Sequence, residues 1–157
     1  MKKFFFDCGT RDATASLALV FLRITIGLMI LIGHGLSKIQ NFATLKDKFP
    51  VPDFFPLKYM SPPVSLIATI GAEVLAPALI VIGLCTRPAA FILAFAMTVA
   101  AFDVLHSQPF FYAPPKVLVA KELAIMYLLP AVAILLAGAG QYSVDSSFYK
   151  DGKRRKW

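Results

Sequence analysis

Four apolar stretches run along the chain, at about residues 15–34, 63–84, 88–106 and 118–138. Each is near the roughly 20 residues that a helix needs to cross a bilayer core. None carries the polar face that would mark a surface helix of a soluble fold. Backbone groups in hydrocarbon must be satisfied within the segment, so each stretch is predicted as a transmembrane helix. Two connections, 35–62 and 107–117, are long and rich in proline and aromatic residues. The first is predicted to lie on the membrane surface as a cap, with a short helix around residues 43–48. The remaining connection, Cys85-Thr86-Arg87-Pro88, is a tight turn. A tight turn makes its two helices antiparallel neighbours, and the simplest packing is an up-down bundle. The prediction is therefore one all-α domain, a polytopic membrane four-helix bundle with a tail at 146–157. Gly33-His34-Gly35 provides no small-x-small cleavage pattern, so the first stretch is read as a retained helix. Pro77 and Pro130 are predicted to kink the second and fourth helices.

Composition turns this pattern into an exclusion. Of 157 residues, 58% are hydrophobic and 16% charged, against about 25% charged in a typical soluble domain. The mean hydropathy is +0.70. A soluble globule of this size needs a polar skin that such a composition cannot supply. The net charge of +7 would suggest nucleic acid in a soluble protein. Here Lys153, Arg154, Arg155 and Lys156 lie together in the tail, where they set topology or touch anionic lipid. Nine basic residues fall on one side (Lys2, Lys3, Arg11, Arg87, Lys150 and the four in the tail). Six fall on the other (Lys38, Lys46, Lys48, Lys58, Lys116, Lys121). The positive-inside rule then predicts cytoplasmic termini and outward-facing long loops. Cys8 and Cys85 form no C-x-x-C motif. Both fall on the predicted cytoplasmic side and are read as inert thiols.

The ionisable residues at membrane depth carry the candidate chemistry. A charge at the bilayer centre costs about 2.5–3.5 kcal/mol on insertion scales, so it turns inward and takes a partner. Arg23 and Glu73 are both expected near the midplane and are predicted to form a buried pair, either a structural clamp or a functional one. Antiparallel packing gathers a second group at the outer end. His34, Asp103 and Glu122 are candidate proton-handling catalytic residues. Lys38, His106 and Lys121 are candidate ligand-binding donors, although Lys38 and Lys121 also reach water easily from helix ends. Positions 23 and 34 are three turns plus about 20° apart, which puts Arg23, Gly27, Ile30 and His34 on one face. Apolar, aromatic walls with a few polar groups suit a quinone head group, and Lys with His⁺ suits a small anion. His34 and His106 lack metal-ligand spacing, and no metal site is predicted.

Several short motifs occur in a telling order. They are Leu22-Arg23-Ile24-Thr25-Ile26-Gly27, His34-Gly35-Leu36-Ser37-Lys38, Glu73, Ile82-Gly83-Leu84-Cys85-Thr86-Arg87, Lys121-Glu122-Leu123-Ala124 and Gly140-Gln141-Tyr142-Ser143-Val144-Asp145. This order resembles the DoxX/DoxD family of small four-helix membrane proteins, over about residues 15–146. The resemblance implies a bacterial or archaeal inner membrane. It also implies kinship with the membrane subunit of a thiosulfate:quinone oxidoreductase or with thiol-redox assemblies. Arg23, His34, Lys38, Glu73, Arg87 and Glu122 match the family pattern, and the long Pro/aromatic first loop departs from it. The leading expectation is a membrane redox subunit, an oxidoreductase component that binds a quinone or small anion near the outer face. It would work with a redox partner protein. The rivals are a non-catalytic anchor for such a partner and a small transporter, which would be expected to form a homo-oligomer.

Overall fold

The computed structural model describes residues 12–111 and 119–149. The basic residues at 2, 3, 11, 116 and 150–156, together with Cys8, lie outside that range. The described residues are all helical or irregular, with no strand among them. Helix α1 spans Ala13–Gln40, followed by the single turn α2, Phe42–Leu45. Helix α3 spans Pro62–Ile82, α4 Thr86–Val104, α5 Glu122–Ala137 and the short α6 Val144–Tyr149. Three of these, α1, α3 and α4, are long and apolar enough to cross a membrane. Helix α5 is apolar but has 16 residues.

Local chemistry fixes the ends. Asp12 caps α1, its side chain accepting from the Ala15 N–H at 2.8 Å. Pro62 and Pro63 occupy the first turn of α3, where a missing N–H costs nothing. Gly83 ends α3 at φ 78°, and the Leu84 N–H reaches back to the Leu79 carbonyl at 3.0 Å. This is the left-handed stop that glycine favours.

Helices α1 and α3 are each interrupted by one π-helical turn, at Leu31–Gly35 and Gly71–Leu75, and α4 ends in one, Ala100–Val104. Such turns insert an extra residue into the α ladder and often mark functional sites. Each of these contains an ionisable residue: His34, Glu73 and Asp103 respectively. The α3 turn lies just before Pro77, which has no N–H to offer the preceding turn. Because the α1 turn keeps the helix going, α1 ends at Gln40 rather than near residue 34. Gly33 and Gly35 look like helix stops in the sequence. Gly35 in fact has helical backbone angles, φ −66° and ψ −53°, and its role is contact. A Cβ there would lie 2.6 Å from the Glu73 carbonyl oxygen and 2.7 Å from Val74 Cγ2.

The four long helices touch in the cyclic order α1–α3–α4–α5, with α5 closing back on α1. Helix α1 is thus diagonal to α4, and α3 to α5. The core between them holds Ile30, Ile80, Leu93, Met97, Tyr127, Ile134 and a run of alanines on α4 and α5 that lets the helices approach closely. Large apolar side chains such as Phe21, Leu75, Phe91, Leu129 and Leu136 face outward. We call the end where α1 finishes and α5 begins the upper end.

The lower end is held by charge. Arg23 is 2% exposed, and its guanidinium donates to the Ala139 carbonyl at 2.6 Å and the Tyr142 carbonyl at 2.9 Å. Asp145, also buried, attracts Arg23 electrostatically. The same carboxylate accepts from the Cys85 N–H at 2.8 Å and the Thr86 N–H at 2.9 Å. Helix α4 is therefore capped by a residue about sixty positions away, because its own N-cap, Cys85, makes no side-chain cap. The Asp145 N–H returns to the Gly83 carbonyl at 2.9 Å. The Ile82–Arg87 and Gly140–Asp145 motifs meet here as one scaffold.

Candidate functional site

A cavity of about 550 Å³ lies at the upper end, between all four long helices. Helix α1 contributes Ile30 and His34, α3 Glu73, and α4 Met97 and Ala100. Leu105 follows α4. The segment leading into α5, and α5 itself, contribute Val119, Ala120, Glu122, Leu123, Ala124, Met126 and Tyr127. Most of this wall is apolar. Val119, Leu123 and Met126 line the cavity and are themselves exposed. The cavity is thus open along this apolar edge.

Its polar groups are few. His34 sits in the π turn of α1, half-buried, with its ring edge-on to Tyr127 at 5.6 Å between centroids. Glu73 is 8% exposed and pairs with the Lys38 ammonium, one helical turn above His34. Glu122 opens α5, where its N–H donates to the Phe110 carbonyl at 3.0 Å. Among the described residues, no three His, Cys, Asp or Glu side chains gather as a metal site requires.

The predicted Arg23–Glu73 pair is corrected by this geometry. Both residues are buried, but each has a different partner. Gly83 packs against the Arg23 guanidinium and Gly35 against the Glu73 carbonyl. That register sets Glu73 opposite residue 35 of α1, twelve positions above Arg23. At 1.5 Å per residue the two lie roughly 18 Å apart along the axis. The expectation of equal depth assumed that the apolar runs start and stop together. Helix α1 instead outruns its apolar segment by a full turn and carries Lys38 to Glu73.

The predicted outer cluster divides in two. His34 and Glu122 line the cavity, and Lys38 reaches it through Glu73. Asp103, His106 and Lys121 instead form a chain over the rim and are not among the lining residues. The Asp103 carboxylate accepts from the Asp53 N–H of the first loop at 2.8 Å. The His106 Nδ1 donates to the Asp103 carbonyl, and the Lys121 ammonium donates to the His106 carbonyl, each at 2.8 Å. Their geometry ties the two loops to the start of α5. Phe54, packed edge-on against Phe95, holds the first loop to α4. Tyr127 also lines the cavity, one helical turn after Leu123. Its signal in the sequence is a polar-tipped aromatic within an otherwise apolar helix.

Apolar helices of membrane-crossing length, wrapped around a cavity with a few ionisable groups, define a helical membrane protein. The DoxX family model matches residues 18–106, more than half of the chain, and the protein belongs to the DoxX family. The match covers α1 to α4; Glu122, Tyr127 and Asp145 lie beyond it. A Haemophilus influenzae relative, described as an uncharacterized protein, is 31% identical over 134 residues, covering 84% of this chain and 91% of the relative. A second from the same organism, with the same description, is 25% identical over 154 residues, or 96% of each chain. No solved structure matches.

Proposed function

We propose that this DoxX protein is the membrane subunit of a redox system and binds a quinone in the upper-end cavity. One observation carries the reading. The cavity is mostly apolar and open along the exposed apolar side chains of Val119, Leu123 and Met126, yet holds His34, Glu73 and Glu122. A lipid-soluble ring with a long apolar tail fits that division. The tail lies along α5, and the ring oxygens meet the ionisable groups. His34 and Glu122, which line the cavity, are the groups that handle protons at the ring oxygens. Lys38 acts through Glu73, whose charge it neutralises. Asp103, His106 and Lys121 hold the rim and set its shape. Electrons pass to or from a partner protein.

In this reading α5 is the fourth span, with Pro130 adjusting its path. Both termini face the cytoplasm of a bacterial or archaeal inner membrane, and the cavity opens near the outer face. Detergent-purified protein titrated with ubiquinone and menaquinone analogues tests the proposal. Saturable binding is expected, weakened about tenfold or more by His34→Ala through loss of a buried hydrogen bond and of the Tyr127 contact. Absence of saturable binding to either analogue refutes it.

A further inference from the structure

The polar lining of the cavity is unevenly supplied with donors and acceptors. Glu73 and Glu122, when ionised, only accept hydrogen bonds. His34 and Tyr127 each offer one donor and some accepting capacity. The ammonium groups nearby are engaged elsewhere, Lys38 with Glu73 and Lys121 with the His106 carbonyl, and neither residue is among the lining residues. The lining is therefore richer in acceptors than in donors. A carboxylate has about four lone-pair sites, so Glu73 keeps accepting capacity beyond its bond to Lys38, and Glu122 likewise keeps capacity beyond any single bond it makes.

Placement adds a second constraint. Glu73 belongs to α3 and Glu122 to α5, which are diagonal in the ring of four helices. The two carboxylates thus approach the cavity from opposite corners. A ligand that meets both must carry its polar atoms at opposite ends of a flat, otherwise apolar body.

We infer that the cavity binds the reduced, para-dihydroxy form of a quinone in preference to the oxidised form. This rests on the quinone reading above and sharpens it. A hydroquinone presents two O–H donors at opposite ends of its ring. The oxidised quinone presents two carbonyls, which only accept. Carboxylates facing carbonyls gain no hydrogen bond from them and meet their lone pairs, whereas carboxylates facing hydroxyls form charge-assisted hydrogen bonds. The preference is a property of binding and requires no electron transfer. It also directs the ring hydroxyls to the two groups that would accept their protons.

The test uses equilibrium dialysis of the full chain in detergent under anaerobic conditions. The probes are short-chain ubiquinone and its two-electron-reduced quinol. The quinol is expected to bind at least about tenfold more tightly, as one or two hydrogen bonds to charged groups imply. Glu122→Gln, which replaces an acceptor-only group by one that also donates, is expected to shrink that ratio at least threefold. Glu73→Gln is expected to act in the same direction, and Glu122→Gln suffices where Glu73→Gln fails to fold. Equal binding of the two forms, or tighter binding of the quinone, overturns the preference and leaves quinone binding standing. A preference unchanged in Glu122→Gln overturns its assignment to the opposed carboxylates. Binding of neither form overturns the quinone reading and the preference together.

Discussion

Replacing Asp145 by alanine tests the scaffold beneath the cavity. In the folded protein this carboxylate accepts two backbone hydrogen bonds, from Cys85 and Thr86, at 2.8 and 2.9 Å. It is 1% exposed, so water cannot replace it. Asp145→Ala leaves the first N–H groups of α4 without an acceptor. It also removes the negative charge that balances the positive end of the helix dipole. Loss of an N-cap costs about 0.5–2 kcal/mol. Leaving a buried N–H without an acceptor costs about 1–3 kcal/mol, and Arg23 loses a longer-range attraction as well. These effects share one site and do not add, so the expected loss is about 2–3 kcal/mol. For a chain of this length that lowers the melting temperature by roughly 5–10 °C. Thermal unfolding of detergent-purified protein, followed by size-exclusion chromatography after heating, measures it. Asp145→Asn, which keeps one acceptor, is expected to fall between wild type and Asp145→Ala. An Asp145→Ala protein that melts within about 2 °C of wild type refutes the role given to this cap.

Three further outcomes follow from the upper end. Gly35→Ala drives a methyl group into the Glu73 carbonyl and Val74, and is expected to cost about 1–3 kcal/mol by overpacking. Gly33→Ala, two residues away with nothing within 4 Å of the new Cβ, is expected to leave the melting temperature unchanged or to raise it through better helix propensity. Lys38→Met leaves the Glu73 carboxylate without its ion pair, and is expected to lower stability by about 3 kcal/mol or more. The double variant Lys38→Met with Glu73→Gln recovers most of that loss, and a double-mutant cycle with no coupling argues against the pair.

Much of the fold is legible in the sequence because its signal is local. Apolar runs, proline and aromatic loops and one tight turn give the helical segments. The inward stripe Arg23, Gly27, Ile30 and His34 also follows from helical period alone. Depth is different. It depends on the register between helices, which no single segment encodes. Arg23 and Glu73 look level when counted from the edges of apolar runs, and they are not. Glycine is ambiguous for a related reason: Gly35 reads as a stop until a neighbouring backbone is known to press on it. The π turns leave no simple sequence pattern, so the exit of Lys38 toward Glu73 is hidden. Asp145 illustrates the limit of local reasoning most clearly, since it caps a helix that starts about sixty residues earlier. His34 and Glu122 are recoverable from sequence because ionisable groups in an apolar stretch are conspicuous wherever they finally sit.

The π turns carry a consequence for how the two ends of the molecule relate. Each behaves as a single inserted residue, so everything above it is rotated by about 100° from where an uninterrupted α-helix would put it. In α1 that rotation acts on Lys38, whereas α4 ends in its π turn and has no helix beyond it to turn. The upper end is thus indexed separately from the lower one. Deleting one residue within Leu31–Gly35 would leave Arg23 seated among its carbonyls while turning Lys38 off Glu73. The bundle is built like a lock with a fixed base and a keyed collar, and one-residue changes in length, rather than substitutions, are what re-cut the key.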